Sequence, residues 1–305
     1  MKELQLIKGG GRTGNFIISL MNAILYCKRN NYDTIDFSKI TLSSSPTINK
    51  KIMTEFFKKT NIILSKEKPD NETIEITEIG FSRFYKIVPL IFEERINLVK
   101  QYIKPIMDIK IHDIKDNDLV IHLRSGDIIV GGNPEMIQPP LEFYEKVINS
   151  RKWDKIYVLT ERHPLNPVFN ALVEKYNPIT FVDDDRGKNN GYNFKKDFDY
   201  LISATHYVPC QSSLCPFVIQ ISDTIKNVYV PSYFFIRKNA NYNWWTSSLF
   251  QKKTNEKIND IEFHIFDYDK YANTKPDMYI YSKKENKDLL LEYKSEGTPK
   301  PPSKN

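Results

Sequence analysis

Three observations in this 305-residue sequence predict an α/β fold. Short apolar runs rich in β-branched residues, such as Leu119–Leu123 and Asn227–Pro231, alternate with segments of helical apolar spacing, such as Leu141–Asn149. Near the start, the strand-like run Leu4–Lys8 passes through the glycine-rich Gly9–Asn15 into a helical pattern, the usual opening of an α/β unit. Hydrophobic residues at 40% and aromatics at 13% supply enough apolar surface for a sizeable core.

The elements follow in order. After the glycine loop, Phe16–Arg29 places Ile17, Leu20, Met21, Ile24 and Leu25 on one helical face, and Asn30-Asn31 closes it before a strand at Tyr32–Phe37. Residues 40–70 are rich in Ser, Thr and Lys and carry no assignable pattern beyond a mixed helical segment. Ile87–Ile106 has helical spacing and leads into a polar link, Asp108–Asp118, which predicts a domain boundary. Beyond it come the strand Leu119–Leu123, a loop through Pro139-Pro140, the helix Leu141–Asn149 and the strand Lys155–Thr160. A helix at Asn166–Tyr176, a strand at Ile179–Val182 and the polar loop Asp183–Lys195 follow. Then come the helix Asp197–Ala204, the strand Tyr207–Cys210, a helix opened by Ser212-Ser213, and Asn227–Pro231 as the last strand of the second sheet. Past Asn239 the pattern changes: Ile261–Asp267 and Met278–Tyr293 read as strands, and Ser295–Asn305 as a disordered Pro/Lys/Ser tail. The expected units are residues 1–115, 116–240 and a C-terminal extension, 241–305.

Composition narrows the function classes. No run reaches the roughly 18 apolar residues that span a bilayer, and the first residues lack a signal-peptide core, so a cytoplasmic protein is expected. Cys27, Cys210 and Cys215 form no CxxC pair, and the five histidines are scattered without HExxH, so neither a disulfide framework nor a metal site is expected. The net charge of +6 suits an anionic ligand. Because the lysines are spread along the chain, it describes a solvated surface rather than a nucleic-acid footprint.

Four motifs carry chemistry. Leu119–Asp127 reads Leu-Val-Ile-His-Leu-Arg-Ser-Gly-Asp, and alternation along the strand points His122 and Arg124 the same way at its C-terminal end. In open α/β sheets ligands bind at that end, and a guanidinium there suits a phosphate or carboxylate; the alternatives are a structural ion pair and a satisfied core histidine. Gly9-x-Gly11-x-x-Gly14, with Asp33 further on, satisfies the dinucleotide fingerprint and keeps an NAD(P)-binding oxidoreductase open, although Arg12 and Asn15 are unusual within it. It is not a Walker loop, since Asn15-Phe16 follows Gly14. Ser212-Ser213 stands at a strand-to-helix junction, where hydroxyls and free N–H groups cradle phosphate or simply cap the helix; it lacks the flanking glycines of a nucleophile elbow. Asp197 precedes these serines by one helix and a return strand, placing its carboxylate near the same sheet edge unless it is an exposed helix-start acid.

Together, Gly-Arg-x-Gly-Asn, His-x-Arg-x-Gly-Asp and Asp197 followed by Ser212-Ser213 and Val-Pro-Ser-Tyr-Phe resemble the fucosyltransferase superfamily, and within it the α-1,2-fucosyltransferases of glycosyltransferase family 11. The resemblance covers about residues 4–30 and 119–235. It implies a GT-B architecture, two Rossmann-like domains facing a cleft, with the acceptor on the first and the nucleotide sugar on the second. It also implies an inverting transfer of fucose from GDP-fucose to a glycan hydroxyl, with no metal or other cofactor. Carried over, Arg124 holds the β-phosphate, Ser212 and Ser213 the diphosphate, and Asp197 reads guanine with His122 near the nucleotide. Arg12, Gly14 and Asn15 line the cleft from the first domain, and Asp127 buttresses Arg124 or orients the acceptor; the implied catalytic set is Arg124, Asp127 and Asn15.

The chain departs from the family at Thr13, Phe16, Ser125 (where a second Arg is common) and Cys215-Pro216. These departures bear on the sugar and acceptor more than on the diphosphate, and leave another nucleotide deoxysugar as an alternative donor. A glycan- or nucleotide-binding module without catalysis is the reading from a different class.

Overall fold

The computed structural model describes residues 2–6, 8–9, 24, 27–28, 31, 34–36, 41–42, 62–63, 72–76, 96–104, 107, 109–125, 138–160, 166–181, 194–212, 214–234, 260–270 and 290–295. In the N-terminal part, β1 (Lys2–Leu6), β3 (Thr34–Asp36), β5 (Ile62–Ile63) and β6 (Glu72–Ile76) form a sheet of order β5-β3-β1-β6. β1 runs parallel to both β3 and β6, and β5 pairs antiparallel to β3. A separate two-stranded ladder joins β2 (Lys8–Gly9) to β4 (Thr41–Leu42). The expected first two strands are present with shifted ends. β6 was not foreseen, because its polar Glu72, Thr73 and Glu75 dilute the apolar signal. In the expected helix after the glycine loop, Ile24 and Cys27 are helical and buried. Part of the helix expected over Ile87–Ile106 winds as a π-helix at Val99–Ile103.

The second sheet holds β7 (Leu119–His122), β8 (Ile156–Leu159), β9 (His206–Val208), β10 (Asn227–Pro231) and β11 (Glu262–Phe266), all parallel, in the order β11-β10-β9-β7-β8. Between them lie α1 (Leu141–Asn149), α2 (Pro167–Tyr176), α3 (Phe194–Ile202) and α4 (Leu214–Ile221). Every residue of β7 and β9 is buried, as strands covered on both faces require, which is why they read as unbroken apolar runs. In the strand expected at Ile179–Val182, Ile179 forms a parallel bridge with Tyr157, and Val182 lies outside the described residues. With that bridge as the third position, the order is 3-2-1-4-5-6, that of a doubly wound α/β sheet. The chain starts at the central β7, moves outward through β8, then crosses back to lay β9 on the other side of β7. The strand order therefore reverses between β7 and β9.

Local chemistry sets the helices. Asn166 caps α2, its side-chain oxygen accepting from the Val168 and Phe169 N–H groups, and Pro167 follows at the first helical position. The helix ends on Asn177 at φ 44°, a left-handed C-terminal residue whose N–H donates to the Val173 carbonyl. α4 (Leu-Cys-Pro-Phe-Val-Ile-Gln-Ile) is buried on all sides, and its Pro216 falls in the first turn, where no intrahelical N–H is needed. Phe198 of α3 stacks on Phe217 of α4 with centroids 5.7 Å apart.

Two expectations are corrected. Asn227–Pro231 is not the last strand of its sheet: β11, from the expected C-terminal extension, pairs with it in parallel over five residues. The segment after it folds back onto α1, where buried Glu142 accepts hydrogen bonds from the Tyr268 hydroxyl (3.2 Å) and the Ser295 N–H (2.8 Å). Leu290–Glu292 is helical rather than extended, since Leu290 and Tyr293, three residues apart, both enter the core; residues 278–289 and the tail beyond Ser295 lie outside the described residues. The polar link before β7 is sewn to α3: the Lys110 N–H donates to Asp199, the His112 N–H donates to Ser203, and the His112 ring stacks on Tyr200 at 3.9 Å. Among the described residues no helix is long and apolar enough to cross a membrane.

Candidate functional site

Strand order reverses between β7 and β9, and the C-terminal strand ends at such a reversal are where doubly wound sheets hold their ligand crevice. β7 delivers His122, Leu123, Arg124 and Ser125 to it, and β9 delivers Pro209, Cys210, Gln211 and Ser212. Arg124, half-buried, donates from Nη1 to the Gln211 carbonyl at 3.2 Å, which ties the two strand ends together. His122 reaches the same segment: its Nδ1 lies 3.3 Å from Cys215 Sγ and 3.5 Å from Cys210 Sγ. His122 and Arg124 thus both turn toward the β9 side, as strand alternation predicts.

The serine pair is resolved in part. Ser212 is half-buried, its N–H donates to the Cys210 carbonyl at 2.9 Å, and its hydroxyl accepts from the Leu214 N–H at 3.2 Å. One hydroxyl of the pair is thus engaged in opening α4, the capping alternative for this residue. Asp197 sits in the first turn of α3 and is fully buried, so it is not an exposed helix-start acid. The helix carrying it packs on β7 and α4, the two elements that border the crevice. Arg12, Gly14, Asn15, Asp127 and Ser213 lie outside the described residues. Gly9, first glycine of the dinucleotide fingerprint, is in β2, paired as a strand residue with Leu42.

Ser125 has a role that sequence reasoning assigned to substrate choice. Fully buried, it lies 2.6 Å from the Thr160 hydroxyl and accepts from Asn166 Nδ2 at 2.9 Å. Asn166 in turn exchanges two amide hydrogen bonds with Gln138, at 2.9 and 3.0 Å. The network joins the ends of β7 and β8 to the cap of α2, and a guanidinium at position 125 would have to enter a space closed on all sides. Ser125 therefore ties the end of β7 to the end of β8 and to the start of α2.

The feature missed in the sequence is the meeting of the two cysteines. Cys210 and Cys215, read as unpaired, approach to 3.6 Å and share His122 as a neighbour. Burial pushes the Cys215 thiol up, but the hydrogen bond from Cys210 and the charge of His122 outweigh it and hold the group well below its ordinary value. At Cys27, burial pushes the thiol up to about 12. The available signal was Cys210-x4-Cys215, which falls in the two-to-four spacing of soft-metal ligands. A search for CxxC alone passes over it.

Comparison with family models, curated proteins and solved structures finds no match to this chain. Its class is thus defined by the fold alone: an α/β protein with a five-stranded parallel sheet and a polar crevice at the reversal of strand order.

Proposed function

We propose that this chain is an inverting glycosyltransferase of GT-B type that takes a nucleotide-diphosphate sugar, GDP-fucose by its resemblance to the α-1,2-fucosyltransferases, and transfers the sugar to a glycan hydroxyl. The observation that carries the reading is the convergence of Arg124 and the Gln211–Ser212 turn on one crevice from two adjacent parallel strands. A nucleotide diphosphate leaving group needs fixed positive charge and hydrogen-bond donors. Arg124 is permanently charged, and its guanidinium is already oriented by the Gln211 carbonyl, so less conformational freedom is lost when phosphate binds.

In this mechanism the donor's diphosphate lies across the crevice with its β-phosphate on Arg124. As the bond from the sugar carbon to the β-phosphate oxygen breaks, negative charge grows on that oxygen, and Arg124 stabilises it more strongly in the transition state than in the ground state. The acceptor hydroxyl attacks the opposite face of the sugar and gives its proton to solvent as the glycosidic bond forms, which inverts the anomeric centre. Ser212 and Ser213 contribute to the diphosphate site, Asp197 and His122 to the nucleotide side, and Arg12, Gly14 and Asn15 to the cleft wall opposite, while Asp127 buttresses Arg124 from the same loop. A mixed N-terminal sheet and an all-parallel second sheet support the reading of two α/β halves.

Calorimetric titration with GDP, UDP, NAD and NADP tests the reading, followed by a screen for GDP or UDP released from a panel of nucleotide sugars. GDP binding lost in Arg124→Ala and GDP release with GDP-fucose are the expected results. NADH binding without GDP binding would sink the proposal in favour of an oxidoreductase. Release of UDP or of GDP from another deoxysugar donor would move it to that donor, and GDP binding without turnover of any donor would make the chain a binding module.

A further inference from the structure

We infer that His122, Cys210 and Cys215 form a binding site for a thiophilic d10 metal ion, with Zn2+ as the type, which clamps the ends of β7 and β9 to the start of α4. Three separate elements deliver the donors: the last residue of β7, the turn after β9 and the first turn of α4. All three residues are buried, and their donor atoms lie within 4.8 Å of one another.

The spacings are those of a ligand set. A tetrahedral zinc ion with bonds of about 2.3 Å to sulfur and about 2.0–2.1 Å to nitrogen holds its sulfurs about 3.8 Å apart, and sulfur and nitrogen about 3.5 Å apart. The structure has 3.6 Å between the sulfurs and 3.3 and 3.5 Å from them to Nδ1. An ion fits at the common centre with little movement of any side chain. Hydrogen bonding accounts for the cluster less well. Thiols are weak donors and weak acceptors, so two of them turned toward each other and toward one imidazole nitrogen contribute little to stability by themselves. Two thiolates and an imidazole are a soft set suited to zinc or copper(I) and ill suited to magnesium or calcium. Among the described residues no fourth His, Cys, Asp or Glu joins them, which leaves the remaining tetrahedral position to a small exogenous ligand.

Binding takes both cysteines as thiolates and releases the thiol protons still bound, and the ion's charge compensates the thiolates. The consequence for the crevice is mechanical. Arg124 lies two residues from His122, and Gln211 and Ser212 lie between the two cysteine ligands, so the ion sets the positions of the groups assigned above to the diphosphate. It touches no reacting atom, and its role is positioning.

Zn2+ and Co2+ are the probes, used on the full reduced chain without nucleotide, so failure of the transferase reading leaves this result standing. Elemental analysis after incubation with Zn2+ and desalting is expected to give one ion per chain. Co2+ is expected to give thiolate charge-transfer absorption in the near ultraviolet with the strong visible bands of a tetrahedral site. Cys210→Ser and Cys215→Ser should each weaken Zn2+ by on the order of 100-fold and remove half of the charge-transfer intensity, and His122→Ala should retain the thiolate bands with shifted visible ones. A wild-type chain that stays metal-free with two reactive thiols at neutral pH overturns the assignment. So does isolation of Cys210 and Cys215 as a disulfide, or a Co2+ spectrum unchanged by Cys210→Ser and Cys215→Ser.

Discussion

His122 and His206 occupy adjacent parallel strands at opposite ends of the second sheet, and their surroundings differ in kind. His206 pairs in register with Leu119, the first residue of β7, whereas His122 is that strand's last residue. Around His206 both ring nitrogens are taken, Nδ1 by the Tyr229 hydroxyl at 2.9 Å and Nε2 by Arg151 at 3.3 Å. Trp153 packs edge-on against it, and Tyr229 stacks on His264. Burial first, and Arg151 second, lower its pKa to about 4, so it is neutral at physiological pH. Around His122 stand two thiols, a half-buried arginine and strand ends that belong to a crevice. One end of the sheet is saturated with packing, and the other gathers groups able to bind. The same residue type is structural in one place and chemical in the other, and its neighbours across the sheet decide which.

The largest expected effect tests whether the strand ends at the crevice are held rigidly. Asn166→Ala removes the cap of α2 and the buried hydrogen bonds that Asn166 makes with Ser125 and Gln138, which should cost about 3 kcal/mol in urea unfolding. A loss below about 1 kcal/mol would mean that the strand ends are not held by this network. Next is the pH dependence of the packed end. His206 has its pKa lowered on folding, so the unfolded chain binds more protons and stability falls as pH drops from about 6.5 to about 4. The part due to His206 is about 2–3 kcal/mol, and above pH 6.5 it contributes no slope. Unfolding midpoints measured across this window should flatten in His206→Gln, and an unchanged slope would assign the pH dependence elsewhere.

A smaller effect separates binding from stability. Arg124→Ala should weaken GDP by roughly 10–100-fold while changing stability by less than about 1 kcal/mol, because its side chain is only half-buried. His206→Gln should do the reverse, and equal effects of both on GDP affinity would erase the contrast between the two ends. The smallest effect belongs to the surface: Lys175→Ala breaks an exposed ion pair with Glu145 at 2.7 Å and should leave the thermal midpoint unmoved.

Most of the second sheet was legible because its strands are buried on both faces and its helices have strong boundary signals. Asn227–Pro231 and Leu141–Asn149 match to the residue, and Asn166-Pro167 marks the start of α2. The failures have physical causes. β11 was separated from its sheet because about thirty residues intervene between it and β10, and no local pattern encodes which edge a distant strand joins. Ser125 stood out in the sequence only as a departure from the family bearing on sugar and acceptor, and its bonds to Thr160 and Asn166 were not legible because those partners belong to other elements.

The candidate site divides the same way. That His122 and Arg124 lie on one side of a strand end, and that Cys210 and Cys215 flank one turn, follows from spacing along the chain, since alternation and turn length are properties of neighbours. That Nδ1 of His122 stands between two sulfurs 88 and 93 positions away was decided by the crossing of the chain from β8 back to β9. Periodicity dictates what each segment offers to the core. Which offers meet depends on strand order, and strand order is a property of the whole packed sheet.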